Sequence, residues 1–182
     1  METFTNAREF VENRSYVRAR QKSIVELDLT SIDSPIVDII EGFAALPYCF
    51  TLQCCFGHFL CSQAQDFHDL ASIPPGFSGL VTYRIAYIVF CLENSSRGLA
   101  LRRALARLSG VDSEFIQFGS ADWFWERCVN SYIIQVEPKA HMLKDKAVLS
   151  SVEALQTQAI RDLFFGELRK LLAAELSEHE AS

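Results

Sequence analysis

One stretch constrains this chain more than any other: Pro47–Cys61, which reads P-Y-C-F-T-L-Q-C-C-F-G-H-F-L-C. It is almost continuously apolar or sulfur-bearing, and rich in Tyr, Phe, Thr and Cys. That is the composition of a strand buried on both faces rather than half-solvated. Gly57 within it marks a bulge, or a close approach of another backbone or a ligand. Such a strand requires partner strands and covering helices.

The partners are readable downstream. Leu80–Leu92, L-V-T-Y-R-I-A-Y-I-V-F-C-L, reads as a second buried strand. Its one charge, Arg84, lies in the interior of the run, and a buried guanidinium needs an anionic partner. Glu114–Trp125 reads as a third strand with a kink at Gly119, and Cys128–Glu137 as a fourth. The short gap between them predicts a hairpin.

Helical spacing appears four times. It runs over 6–26, with Thr5 or Asn6 as cap, and again after Ser34-Pro35, where Ile36, Ile39, Ile40 and Phe43 form an apolar stripe. It returns over Arg97–Leu108, closed by Gly110 in the left-handed conformation, and over Ser151–Leu176, capped by Ser151. The punctuated text between Cys61 and Leu80 reads as a long loop. Helices interleaved with pairs of strands predict an α+β fold, a mixed or antiparallel sheet of about four or more strands covered by helices. A single domain over 1–182 is expected, with mobile extreme termini.

Composition narrows the function classes. The 49% apolar content of 182 residues supports one sizeable core. A net charge of −6 and a pI near 5.2 disfavour broad nucleic-acid binding, tRNA included, though not a local basic cleft. Six cysteines are too few for a disulfide scaffold. No secretory pattern opens the chain and no apolar run is long enough to span a bilayer. The expectation is a cytoplasmic chain with free thiols and no membrane partner, either monomeric or a homo-oligomer.

The Cys/His cluster looks like a ligand set by spacing alone. On an unbroken strand, however, Cys55, Gly57, Phe59 and Cys61 share one face, while Cys54, Phe56, His58 and Leu60 share the other. No three of Cys54, Cys55, His58 and Cys61 then converge, so no metal is expected. Cysteine catalysis through Cys55 and His58 would need a bulge at Gly57 that reverses the alternation. His58 is then either a hydrogen-bonded core histidine or a ring that contacts a substrate. His68 and His141 are weaker candidates, and a redox role for the adjacent Cys54 and Cys55 is weaker still. A second cluster, Asp122-Trp123-Phe124-Trp125-Glu126-Arg127, reads either as an aromatic wall for a planar ligand or as a hairpin end whose tryptophans cap the core. Arg84, beside Tyr83, would supply the cation.

The layout D-S-P-I-V-D-I-I…F-T-L-Q-C-C-F-G-H-F resembles the third wybutosine-synthesizing enzyme family, which are tRNA methyltransferases. Members place an aspartate in a short helix ahead of a strand reading T-T-S-S-C-S-G-R. Asp38, Thr51, Cys55 and Gly57 fall on matching positions, and S-Y-I-I-Q-V-E-P at 131–138 is similar to a later strand of that family. The chain departs from the pattern where Ser-Ser becomes Gln53-Cys54, the next serine becomes Phe56, and the arginine becomes His58.

The resemblance implies S-adenosylmethionine as cofactor and a nucleoside or RNA base as acceptor. Thr51, Cys55, Gly57 and His58 would meet the cofactor. Asp38, Arg84, Trp123, Trp125 and Arg127 would meet the substrate. The alternative is a non-enzymatic or regulatory domain on the same fold, binding a small molecule in a more apolar pocket, as Gln53, Cys54 and Phe56 suggest.

Overall fold

The computed structural model describes residues 4–61, 71–141 and 146–181. In chain order the elements are β1 (Phe4–Asn6), α1 (Tyr16–Val25), α2 (Val37–Ala45), β2 (Cys49–Cys55), β3 (His58–Cys61), β4 (Leu80–Arg84), β5 (Ala86–Leu92), α3 (Ser96–Leu108), β6 (Ile116–Ala121), α4 (Asp122–Arg127), β7 (Ser131–Val136), β8 (Lys146–Ser150) and α5 (Ser151–Glu180). They form two antiparallel sheets, one of five strands in the order β1-β6-β7-β5-β2 and one of three in the order β3-β4-β8. The α+β expectation holds.

Side-chain alternation along β5 divides the covering helices between the faces of the larger sheet. Ile88, Phe90 and Leu92 enter the main core with Ile40 and Phe43 of α2, Leu101 of α3, and Phe164 and Leu168 of α5. Val89 and Cys91 turn the other way, where Phe124 of α4 and Tyr16 of α1 cover them. No described helix is long and apolar enough to cross a membrane.

Neither of the two long apolar runs is one strand. Pro47–Cys61 breaks at Phe56–Gly57, and Leu80–Leu92 breaks at Ile85; each run leaves one sheet and enters the other. Gly57 carries φ +90°, and a Cβ there would stand 2.8 Å from Ala86 Cβ and 2.9 Å from Tyr83 Oη, so only glycine fits. The second break is stitched by Tyr83, whose buried hydroxyl accepts from the Ala86 N–H at 3.0 Å and donates to the Val136 carbonyl at 3.0 Å. On the α5 side, Arg161 is 1% exposed. Its Nη1 donates to the Gly57 carbonyl at 3.0 Å, and its guanidinium lies 4.0 Å from the Phe56 ring centre. Asp162 pairs its remaining nitrogens.

Several expectations are corrected. The buried guanidinium is Arg161, whereas Arg84 is exposed at the end of β4. Helix α1 starts only at Tyr16, and Thr5 and Asn6 lie in a strand instead of capping a helix. The stretch from Asp122 to Arg127 is a short helix, because β6 runs straight through Gly119 and ends at Ala121. Strands β6 and β7 do pair antiparallel, but α4 joins them instead of a tight turn. Gly110 is not left-handed. Strand β8 emerges from text that reads as polar, and the α5 cap is Ser150, in a reciprocal capping box with Glu153.

Candidate functional site

The break at Phe56–Gly57 resets the alternation of side chains, so that Cys55 at the end of β2 and His58 at the start of β3 reach the same place. Asp33 meets them there. It sits just ahead of the single 3-10 turn Ser34–Ile36 that leads into α2. Its carboxylate accepts the Phe56 N–H at 2.8 Å, and His58 Nε2 lies 3.2 Å from both of its oxygens. The Gly57 N–H donates to Cys55 Sγ at 3.4 Å. One ligand-capable atom from each of Asp33, Cys55 and His58 lies within 4.8 Å of the others. His58 Nδ1 is buried without a hydrogen-bond partner.

The electrostatics follow from that contact. The hydrogen bond to Asp33 pushes the His58 imidazole up to about 9, with a further push from Cys55 and with burial opposing. The same hydrogen bond holds the Asp33 carboxyl below its ordinary value against burial. At neutral pH the two are therefore an imidazolium–carboxylate pair, half-buried, with a thiol beside it.

Beside this trio a cleft of about 530 Å³ runs along the free edge of β2. Its floor is Thr51, Leu52, Gln53 and Cys54, and its walls come from α1, the segment 26–33 and Arg127. Strand β2 is the last of its sheet, so its outer backbone groups find partners elsewhere. Ser23 donates to the Thr51 carbonyl at 3.1 Å, and Arg20 donates to the carbonyls of Cys49, Ala44 and Leu46. These bonds fix α1 as one wall. Asp33 lines the cleft and also belongs to the trio, so the two features meet at its carboxylate.

The nine residues singled out from the sequence divide between several places. Thr51 and Arg127 line the cleft, and Cys55 and His58 stand behind its Asp33 end. Gly57 contributes its backbone: the left-handed break and a carbonyl held by Arg161. Asp38 lies elsewhere, bridged by Arg169 of α5 at 2.6 Å and 2.9 Å. Arg84 is the cross-strand neighbour of His58, with its side chain exposed. Trp123 is 55% exposed. Trp125 packs edge-on to Tyr132 with Arg8 over its ring, away from the cleft, and Arg8 also pairs with Asp122.

His141 falls in a 3-10 turn, and His68 lies outside the described residues. All six cysteines are free thiols. The residue that sequence reasoning missed is Asp33, visible in D-S-P only as the lead into a helix.

No protein-family model matches this chain, and neither does any curated protein. Among solved structures it is similar to the PH1069 protein from Pyrococcus horikoshii, with 13% identity over 92% of this chain and 95% of that chain and a TM-score of 0.47. A likeness at that level does not extend to site or activity.

Proposed function

We propose that the cleft beside β2 holds a nucleoside-sized ligand of the S-adenosylmethionine class, and that the chain is a methyltransferase-like protein acting on a nucleoside or RNA base. The observation that carries this reading is the cleft's floor: Thr51, a matching position of the run that resembles the methyltransferase family, lines it. Its volume of about 530 Å³ falls in the range of small-molecule sites. Its chemistry also suits that ligand. The carboxylates of Glu26, Asp28 and Asp33 complement a sulfonium, an ammonium and a ribose diol, while Lys22 and Arg127 complement an amino-acid carboxylate. Methyl transfer asks a protein mainly to hold the acceptor in line with the methyl group, which a rigid cleft between α1 and β2 can do. The net charge of −6 favours a small acceptor over a long nucleic acid.

Calorimetric titration with S-adenosylmethionine and with its demethylated product tests the reading. Heat is expected with at least one, and its loss is expected in Cys54→Trp, which fills the cleft. No heat with either compound removes the proposal. A second reading, a binding domain without catalysis, is favoured by Gln53 and Cys54, which put larger groups where the family has small hydroxyls. It predicts thermal stabilisation by an apolar ligand, and no labelled methyl passed to any nucleoside.

A further inference from the structure

We propose that Asp33, Cys55 and His58 form an open three-ligand site for a divalent cation of the zinc class. The argument is geometric. For metal–ligand bonds of about 2.0–2.3 Å, the edges of a tetrahedral site are about 3.3–3.8 Å. His58 Nε2 and the Asp33 carboxylate already stand 3.2 Å apart, and the Cys55 sulfur belongs to the same group within 4.8 Å. The two remaining edges both run to the Cys55 sulfur, so closing the site asks for movement of that side chain.

The backbone is arranged as support for such ligands. Cys55 and His58 are three residues apart across the break where Gly57 takes the left-handed conformation. The Gly57 N–H points at the Cys55 sulfur and the Phe56 N–H at the Asp33 carboxylate, so main-chain donors orient two of the three ligands without any metal present. Outer hydrogen bonds of this kind fix ligand direction in metal sites.

The donor set selects the ion. A thiolate and an imidazole suit zinc or cobalt, whereas magnesium and calcium prefer all-oxygen shells. Three protein ligands leave a fourth position, the arrangement of catalytic rather than structural zinc. Asp33 is the ligand that this site shares with the cleft. A cation in this site binds the deprotonated His58 Nε2, so its uptake releases a proton. The inference goes beyond the methyltransferase reading and does not depend on it, since metal uptake and nucleoside uptake are measured separately.

Titration of the metal-free full chain with cobalt(II), followed by absorption, tests the site. The expected result is one equivalent bound, giving a thiolate-to-cobalt charge-transfer band and the intense visible bands of a four-coordinate ion, with zinc displacing the cobalt. Cys55→Ser abolishes the charge-transfer band. Asp33→Ala and His58→Ala each weaken binding by more than the roughly 10–100-fold that loss of an outer-shell partner costs. Cys54→Ser, one residue along on β2, keeps the band, and far-ultraviolet circular dichroism shows that each variant is folded. Absence of the band in the folded wild type overturns the proposal, leaving a hydrogen-bonded trio only. A band that survives Cys55→Ser, or that Cys54→Ser removes, overturns it equally.

Discussion

Tyr83→Phe removes one oxygen atom and tests whether the break between the sheets is held as described. The Tyr83 side chain is fully buried and its ring stacks on Phe59 with centres 4.9 Å apart, contacts that phenylalanine keeps. What is lost is the hydroxyl between the Ala86 N–H and the Val136 carbonyl. The Ala86 N–H is then buried without an acceptor, at a cost of about 1–3 kcal/mol. The Val136 carbonyl loses a donor as well, but a carbonyl has a second lone pair, which makes that loss the smaller one. The sum is about 2–4 kcal/mol of destabilisation, or roughly 5–15 °C in melting temperature for a domain of this size. Urea unfolding should show a lower midpoint with an unchanged slope, because the surface exposed on unfolding is the same. Hydrogen exchange should show faster opening at the Ala86 amide. A midpoint equivalent to less than about 0.5 kcal/mol from wild type, within the range of ordinary surface substitutions, would refute the account of the second break.

Gly57→Ala meets Ala86 Cβ and Tyr83 Oη and forces a left-handed residue with a side chain; it should destabilise by more than about 2 kcal/mol in the same urea assay. Ser150→Ala breaks the capping box of α5 and should cost about 1 kcal/mol by thermal unfolding, with Thr at that position restoring most of it. The Asp38–Arg169 pair gives a pH dependence of known sign. The Asp38 carboxyl is held below its ordinary value of 3.8, first by its hydrogen bond to Arg169. Its contribution is therefore complete above that value and is lost as pH falls through the lower, folded-state value. Both side chains are well exposed, so the size is about 0.2–1 kcal/mol. Arg169→Gln should flatten that part of the stability–pH curve and leave neutral-to-alkaline behaviour unchanged in slope.

Apolar runs and helical stripes were legible because burial is written into side-chain type. Ile36, Ile39, Ile40 and Phe43 lie in the core as their spacing predicts, as do Phe164 and Leu168 of the last helix. Breaks inside apolar runs were not legible. Pro47–Cys61 and Leu80–Leu92 stay largely apolar while passing between sheets, and the polar residues near the crossings, Gln53 and Arg84, are exposed there without ending the apolar run. Gly57 was the one local signal, and it supports a bulge and a full break equally well. The burial of Arg161 instead of Arg84 depends on which face of α5 meets Phe56, a tertiary fact. The Asp122–Arg127 helix is too short for periodicity to separate from a strand. Asp33 escaped notice because its partners are more than twenty residues away in sequence and meet it only after the break at Gly57.

A double-mutant cycle between Asp33→Ala and His58→Ala, measured by urea unfolding at neutral pH with a chelator present, asks directly whether these two side chains touch. The half-buried charged pair, with both carboxylate oxygens 3.2 Å from Nε2, predicts a coupling energy of about 1–2 kcal/mol. Effects that add to within about 0.3 kcal/mol would mean that the chain does not bring them together, and neither the site nor its cation would stand.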